Sequence, residues 1–143
     1  MNATRDKSER FRRSACPIAN TLDLVGDKWS LLLIRDMLHG KRTYSELLDS
    51  PERIPTNILA ERLKRLEAAG ILLRTAYQDR PVRYAYTLTE KGAQLGAVLQ
   101  ALVRWGKQHI PGTRTLMESA SGAGDRLRAR RSAPAGARTG RTG

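Results

Sequence analysis

The stretch IPTNILAERLKRLEAAG, residues 54–70, combines a regular apolar rhythm with a run of polar and basic side chains. On a helical wheel of about 100° per residue, Leu59, Leu63 and Leu66 fall in one narrow arc with Ile58 at its edge. That arc must face a core. Asn57, Glu61 and Lys64 lie diametrically opposite, flanked by Ala60 and Arg65, and Arg62 sits near the arc's border. Thr56 and Asn57 occupy the first turn. The polar side is either solvated surface, the commonest fate of such a face, or a surface built to touch something. The neighbouring sequence decides between them.

Upstream, TYSELLDS (43–50) carries a capping box, with Thr43 as N-cap and Glu46 three residues on, followed by a short turn containing Pro51 and Pro55. Before it, CPIANTLDLVG (16–26) opens with Cys16 at an N-cap and Pro17 at the first helical position, and closes at Gly26. DKWSLLLIRDMLHG starts at Asp27 and stops at Gly40; it is apolar almost all round, as expected of a central buried helix. Downstream, ILLRTAYQDRPVRYAYTL (71–88) alternates Val82, Tyr84, Tyr86 and Leu88 with Arg83, Ala85 and Thr87, a strand period, and Asp79, Arg80 and Pro81 supply a hairpin turn. TEKGAQLGAVLQALVRWGKQHI (89–110) reads as one last helix. Four helices, a hairpin and a helix, in that order, predict a fold that is mainly α with a small β-hairpin wing: a winged helix-turn-helix.

In that order the 54–70 helix is the recognition helix, its first turn entering the major groove of double-stranded DNA. Asn57 is suited to a bidentate contact with adenine. Arg80 and Arg83, around Pro81 at the hairpin tip, suit a narrow minor groove or its phosphates. The candidate DNA contacts are therefore Thr43, Thr56, Asn57, Ala60, Glu61, Arg62, Lys64, Arg65, Arg80 and Arg83. The ordinary alternative for the wing is a polar turn carrying surface charge.

The chain has 143 residues and a formal net charge of +12. Residues 1–15 hold five basic and two acidic side chains, and residues 112–143 hold seven arginines against Glu118 and Asp125. Residues 16–111 hold fourteen basic and ten acidic groups, so most of the excess lies in the tails. A polyanion partner and tails that merely aid solubility both fit this distribution. Three segments follow: a disordered basic arm over 1–14, a DNA-binding and dimerising domain over 15–111, and a disordered Arg/Gly/Ala-rich tail over 112–143, too poor in large apolar residues to fold.

Nothing in the chain points to catalysis. One cysteine and two histidines, His39 and His109, on separate elements make no metal cluster, and no glycine-rich phosphate loop is present. No cofactor is expected. The longest wholly apolar run covers residues 31–34, too short for a membrane span, and no secretory signal opens the chain, which predicts a cytoplasmic protein with no membrane partner. A rival reading is a sequence-neutral basic protein that binds nucleic acid through its arginine tails.

Two further features carry expectations. Leu95, Val98, Leu99, Leu102 and Trp105 form a stripe longer than the hairpin and buried helix can cover, which points to a homodimer interface, although part of it must pack on its own domain. Cys16, at a helix N-terminus just after Arg12 and Arg13, is placed to favour its thiolate and react with an electrophile or oxidant; the alternative is a small, inert, buried cysteine.

The segments CPIANTLDLVGDKWSLLLIRDMLHGKRTYSELLDS, IPTNILAERLKRLEAAGIL and PVRYAYTLTEKG together resemble the HxlR family of bacterial transcriptional regulators, winged helix-turn-helix proteins related to MarR. The resemblance covers about residues 15–110 by motif order. It implies a homodimeric regulator, more often a repressor, on a palindromic operator, dimerising through its first and last helices. It aligns Asn57, Arg62 and Lys64 with polar and basic positions of the family's recognition helix and Arg83 with its wing arginine. Pro55 and Thr56 stand where many members have Ser-Pro. Several relatives sense quinones, aldehydes or oxidants through the cysteine matching Cys16, and others have no known ligand.

Overall fold

The computed structural model of the chain describes residues 13–115. The elements run α1 (Pro17–Val25), α2 (Ser30–Leu38), α3 (Tyr44–Leu48), α4 (Thr56–Ala68), β1 (Leu72–Asp79), β2 (Val82–Leu88), α5 (Glu90–Ala93) and α6 (Gly96–His109). This is the expected mainly helical fold with a two-stranded antiparallel hairpin. Residues 1–12 and 116–143, read from sequence as tails, lie outside the described part. At the edge of the expected arm, Arg13 reaches Asp23 of α1 at 2.6 Å, and the Ser14 carbonyl accepts the Asn20 amide at 3.0 Å.

Helix α1 begins as expected, with Cys16 at the N-cap in an extended conformation and Pro17 next. The start of α2 differs. The sequence placed it at Asp27, but the helix begins at Ser30. Asp27 stays outside and caps from there: its Oδ2 accepts the Trp29 and Ser30 amides at 3.1 Å each, and its Oδ1 accepts the Ser30 hydroxyl at 2.5 Å. The orphan amide of Ser30 at the start of the helix is thus satisfied by a side chain three residues upstream. Ser30, Leu33, Ile34, Asp36 and Met37 are buried, which makes α2 the central helix of the domain.

Helix α3 carries the expected capping box. Thr43 Oγ1 accepts the Glu46 amide, and the Glu46 carboxylate accepts the Thr43 amide. It also takes the Arg42 amide at 2.7 Å. The turn into α4 holds Arg53 in the left-handed region (φ 56°). Pro55 is the N-cap of α4 and offers no capping side chain, so the first turn of α4 has no side-chain cap. Instead the Tyr44 hydroxyl donates to the Thr56 carbonyl at 2.9 Å and ties the two helices of the helix-turn-helix together. Leu59, Leu63 and Leu66 are buried, as the wheel requires.

The hairpin pairs Leu72 with Leu88, Arg74 with Tyr86 and Asp79 with Val82, with an irregularity between Ala76 and Gln78. Thr43 adds a one-residue bridge to Ala85, and the Tyr86 amide donates to the Arg42 carbonyl at 2.7 Å. This third partner explains why β2 lacks a clean in–out alternation: residues 84 to 88 are all half-buried, with α2, α3 and α5 against the strand.

The last segment is two helices where one was expected. Thr89 caps α5, accepting the Gly92 amide at 3.1 Å and donating to the Gly70 carbonyl at 2.6 Å. Lys91 Nζ donates to the Ala69 carbonyl at 2.7 Å. A Cβ on Gly92 would lie 2.1 Å from the Ile71 carbonyl oxygen, so only glycine lets α5 approach the end of α4 this closely. The TEKG motif is therefore a clasp on the C-terminal end of α4. The chain turns at Gln94 and Leu95 before α6 begins.

Contacts divide the described residues inside α6, with those up to Ala101 in one compact unit and those from Leu102 in another. The first holds the apolar core, centred on Leu33, Ile34, Leu47, Leu59, Leu66 and Leu72, with Leu95 and Leu99 packed against it. In the second, the Trp105 and His109 rings lie 4.9 Å apart, and the Thr113 hydroxyl donates to the Ile110 carbonyl at 2.9 Å.

Candidate nucleic-acid interface

The polar side of α4 is open. Thr56, Asn57, Ala60, Glu61, Lys64 and Arg65 are exposed, on the side of the helix away from the buried leucines. Asn57 and Lys64 have no side-chain hydrogen bond or ion pair among the described residues, so their polar groups are available to a ligand. Thr43 stands at the start of α3, next to the Tyr44 that anchors Thr56. Arg80 and Arg83 are exposed on either side of Pro81 and Val82, and neither side chain has a partner among the described residues. The polar face of α4 and the basic hairpin tip are thus both open to a ligand.

Two of the candidate arginines are engaged inside the protein. Arg62 is half-buried; its Nε donates to Asp27 Oδ2 at 2.8 Å and its Nη1 to Glu61. Arg65 Nη2 donates at 2.5 Å to the Asp23 carbonyl in the last turn of α1, one of the acceptors a helix end leaves unpaired. The Asp27 carboxyl sits at about 2, below its ordinary 3.8: burial pushes it up, but hydrogen bonds from Ser30, Arg62 and the two amides outweigh that.

The turn between α3 and α4 is held from α2. Arg35 forks onto Glu52, with Nη1 to Oε1 at 2.7 Å and Nη2 to Oε2 at 2.9 Å, and its Nε also reaches Asp36 at 2.9 Å. Glu52 is lowered to about 2, chiefly by that Arg35 hydrogen bond, against burial. The wing has its own tie to α4: Arg74 pairs with Glu67 at 3.2 Å and lies over the Tyr84 ring at 4.5 Å. Sequence reading also passed over two exposed cations, Arg42 just before α3 and Arg53 in the turn between α3 and α4. Arg42 directly precedes the capping box, a signal that was available; the left-handed backbone of Arg53 was not.

Of the expected apolar stripe, Leu95, in the turn before α6, and Leu99 are half-buried against their own core, whereas Val98, Leu102 and Trp105 of α6 are exposed, the last at 61%. On α1, Ile18, Leu22 and Leu24 are exposed. Cys16 is exposed in the single chain and caps nothing with its sulfur. Among the described residues no group of three His, Cys, Asp or Glu side chains could hold a metal, and no helix is long and apolar enough to cross a membrane.

The chain is similar to known proteins in both sequence and fold. The HxlR-like helix-turn-helix family matches residues 24–114. An uncharacterized HTH-type transcriptional regulator of Synechocystis sp., sll1512, is 38% identical over 95 residues, covering 66% of this chain and 70% of that protein. The HTH-type transcriptional regulator YodB of Bacillus subtilis is 37% identical over 94 residues, covering 65% of this chain and 84% of YodB. The redox regulator HypR in its oxidized form superposes with a TM-score of 0.60 at 33% identity, over 71% of this chain and all of HypR.

Proposed function

The chain belongs to the HxlR-like helix-turn-helix family of DNA-binding transcriptional regulators, and from that premise we propose that it is a homodimeric repressor acting on a palindromic operator. The observation that carries this reading is the open polar face of α4, with Thr56, Asn57, Ala60, Glu61 and Lys64 exposed above buried leucines. In the complex, α4 lies in the major groove, Asn57 reads a base, and Lys64 meets phosphate. Arg80 and Arg83 follow the backbone or the minor groove, and Thr43 contacts phosphate beside them. The exposed apolar residues of α1 and α6 meet their copies in the second subunit.

The test is quantitative binding to an operator located by footprinting the DNA around the protein's own gene, and to a scrambled duplex. Asn57→Ala should cost roughly 1–3 kcal/mol on the operator and relax preference at one base position. Lys64→Ala should weaken both duplexes alike and lower the salt slope by about one unit. Normal operator binding by Asn57→Ala would overturn the proposed face. The rival, sequence-neutral reading requires equal affinity for the two duplexes.

A regulatory input through Cys16 is part of the proposal. The thiol is exposed at the N-terminus of α1, and the similar proteins include a redox regulator and a YodB form treated with diamide. As the chain's single cysteine, Cys16 can be alkylated by an electrophile or, with an oxidant such as diamide taking up the two electrons and two protons, form a disulfide with a small thiol or with the second subunit's cysteine.

A further inference from the structure

Arg62 is the candidate whose surroundings least resemble those of a DNA contact. Its side chain is 18% exposed, against 54% for its neighbour Glu61. Its Nε is committed to Asp27 across 35 residues of chain, and its Nη1 holds the Glu61 carboxylate. The acceptor is itself fixed, because Asp27 takes the Trp29 and Ser30 amides and the Ser30 hydroxyl. One turn further along α4, Arg65 grips the Asp23 carbonyl. Two arginines three residues apart thus fasten α4 to the end of α1 and the turn that follows it.

The physical need for such a fastening is plain. Leu59, Leu63 and Leu66 hold α4 down by apolar burial, which is non-directional and leaves the helix free to roll by small angles. A charge-assisted hydrogen bond is short and directional, and it fixes the roll. Base readout tolerates only about 10–20° of error in its side chains. We propose that Asp27 and Arg62 are a positioning pair that sets the rotational setting of α4, and that Arg62 serves operator recognition through Asp27 and Glu61 without touching DNA itself. This deepens, and rests on, the reading of α4 as the recognition helix.

The experiment compares wild type, Asp27→Asn, Arg62→Met and the double variant of the full chain. Asparagine caps a helix as well as aspartate does, so Asp27→Asn keeps the start of α2 while weakening the pair; Arg62→Met keeps the apolar stem. Each single variant lowers the ratio of operator to scrambled-duplex affinity about tenfold, and the double variant falls no further, the signature of coupled groups. The salt slope stays at its wild-type value in Arg62→Met. A phosphate-contacting Arg62 gives the opposite pattern and overturns the proposal. In that case Asp27→Asn, which removes a negative charge and releases Arg62, binds the operator as well as wild type or better, and Arg62→Met lowers the salt slope by about one unit. Amide hydrogen exchange across α4 without DNA separates this outcome from failure of the recognition-helix reading. Faster exchange in both single variants supports the pair even if wild type fails to select an operator, and unchanged exchange in both overturns it.

Discussion

At the scale of single residues, α4 divides into side chains that pack inward and arginines tied to other elements. The wheel placed Leu59, Leu63 and Leu66 in the core because a 3.6-residue period follows from sequence alone. It placed Arg62 on a border, where the side chain can turn either way, and Asp27 decided the direction from 35 residues upstream. Pattern reading has no access to such a pairing. Cys16 shows the converse: its location at the N-cap was legible, and its exposure needed the fold. Its expected behaviour is specific. Diamide, which takes two electrons and two protons as it joins two thiols, should lower operator affinity in wild type and leave Cys16→Ser unaffected. Binding measured before and after treatment, with a reductant control, checks this; equal loss in both proteins would reduce Cys16 to a bystander.

At the scale of elements, starts and stops were harder to read than types. Helix α2 begins later than expected because Asp27 caps from outside the helix, a geometry that looks in sequence like a residue of the first turn. The segment after the hairpin reads as one helix because its apolar spacing runs on past the turn at Gln94 and Leu95. What separates α5 from α6 is a docking requirement. Thr89, Lys91 and Gly92 are bound to carbonyls or packed tightly at the end of α4, and α5 is shaped by that attachment. Gly92→Ala should therefore destabilise the protein by roughly 1–3 kcal/mol, since the intruding Cβ meets a backbone oxygen that no rotamer change can move. Chemical denaturation checks it, and a midpoint equal to wild type would mean that α5 shifts without cost.

At the scale of the whole molecule, the hairpin, the helix order and the basic tip were legible because each is local in sequence. The stripe on α6 was legible only in part, since two of its residues serve their own core and the rest stay outside it. Light scattering at micromolar concentration should give a dimer, with the two copies of α4 about 34 Å apart, one turn of DNA. Trp105→Glu should yield a folded monomer that has lost operator affinity, because a charge placed at an apolar contact has no partner. A wild-type monomer at that concentration would refute the arrangement. The partition of α4 into a leucine seam, two fastened arginines and an open row has a consequence for lineage. Asn57, Ala60 and Lys64 bear none of the fold's internal bonds through their side chains, so under the proposed reading of α4 duplicated copies of the gene would diverge in the promoters they govern by changing those positions while inheriting the scaffold intact.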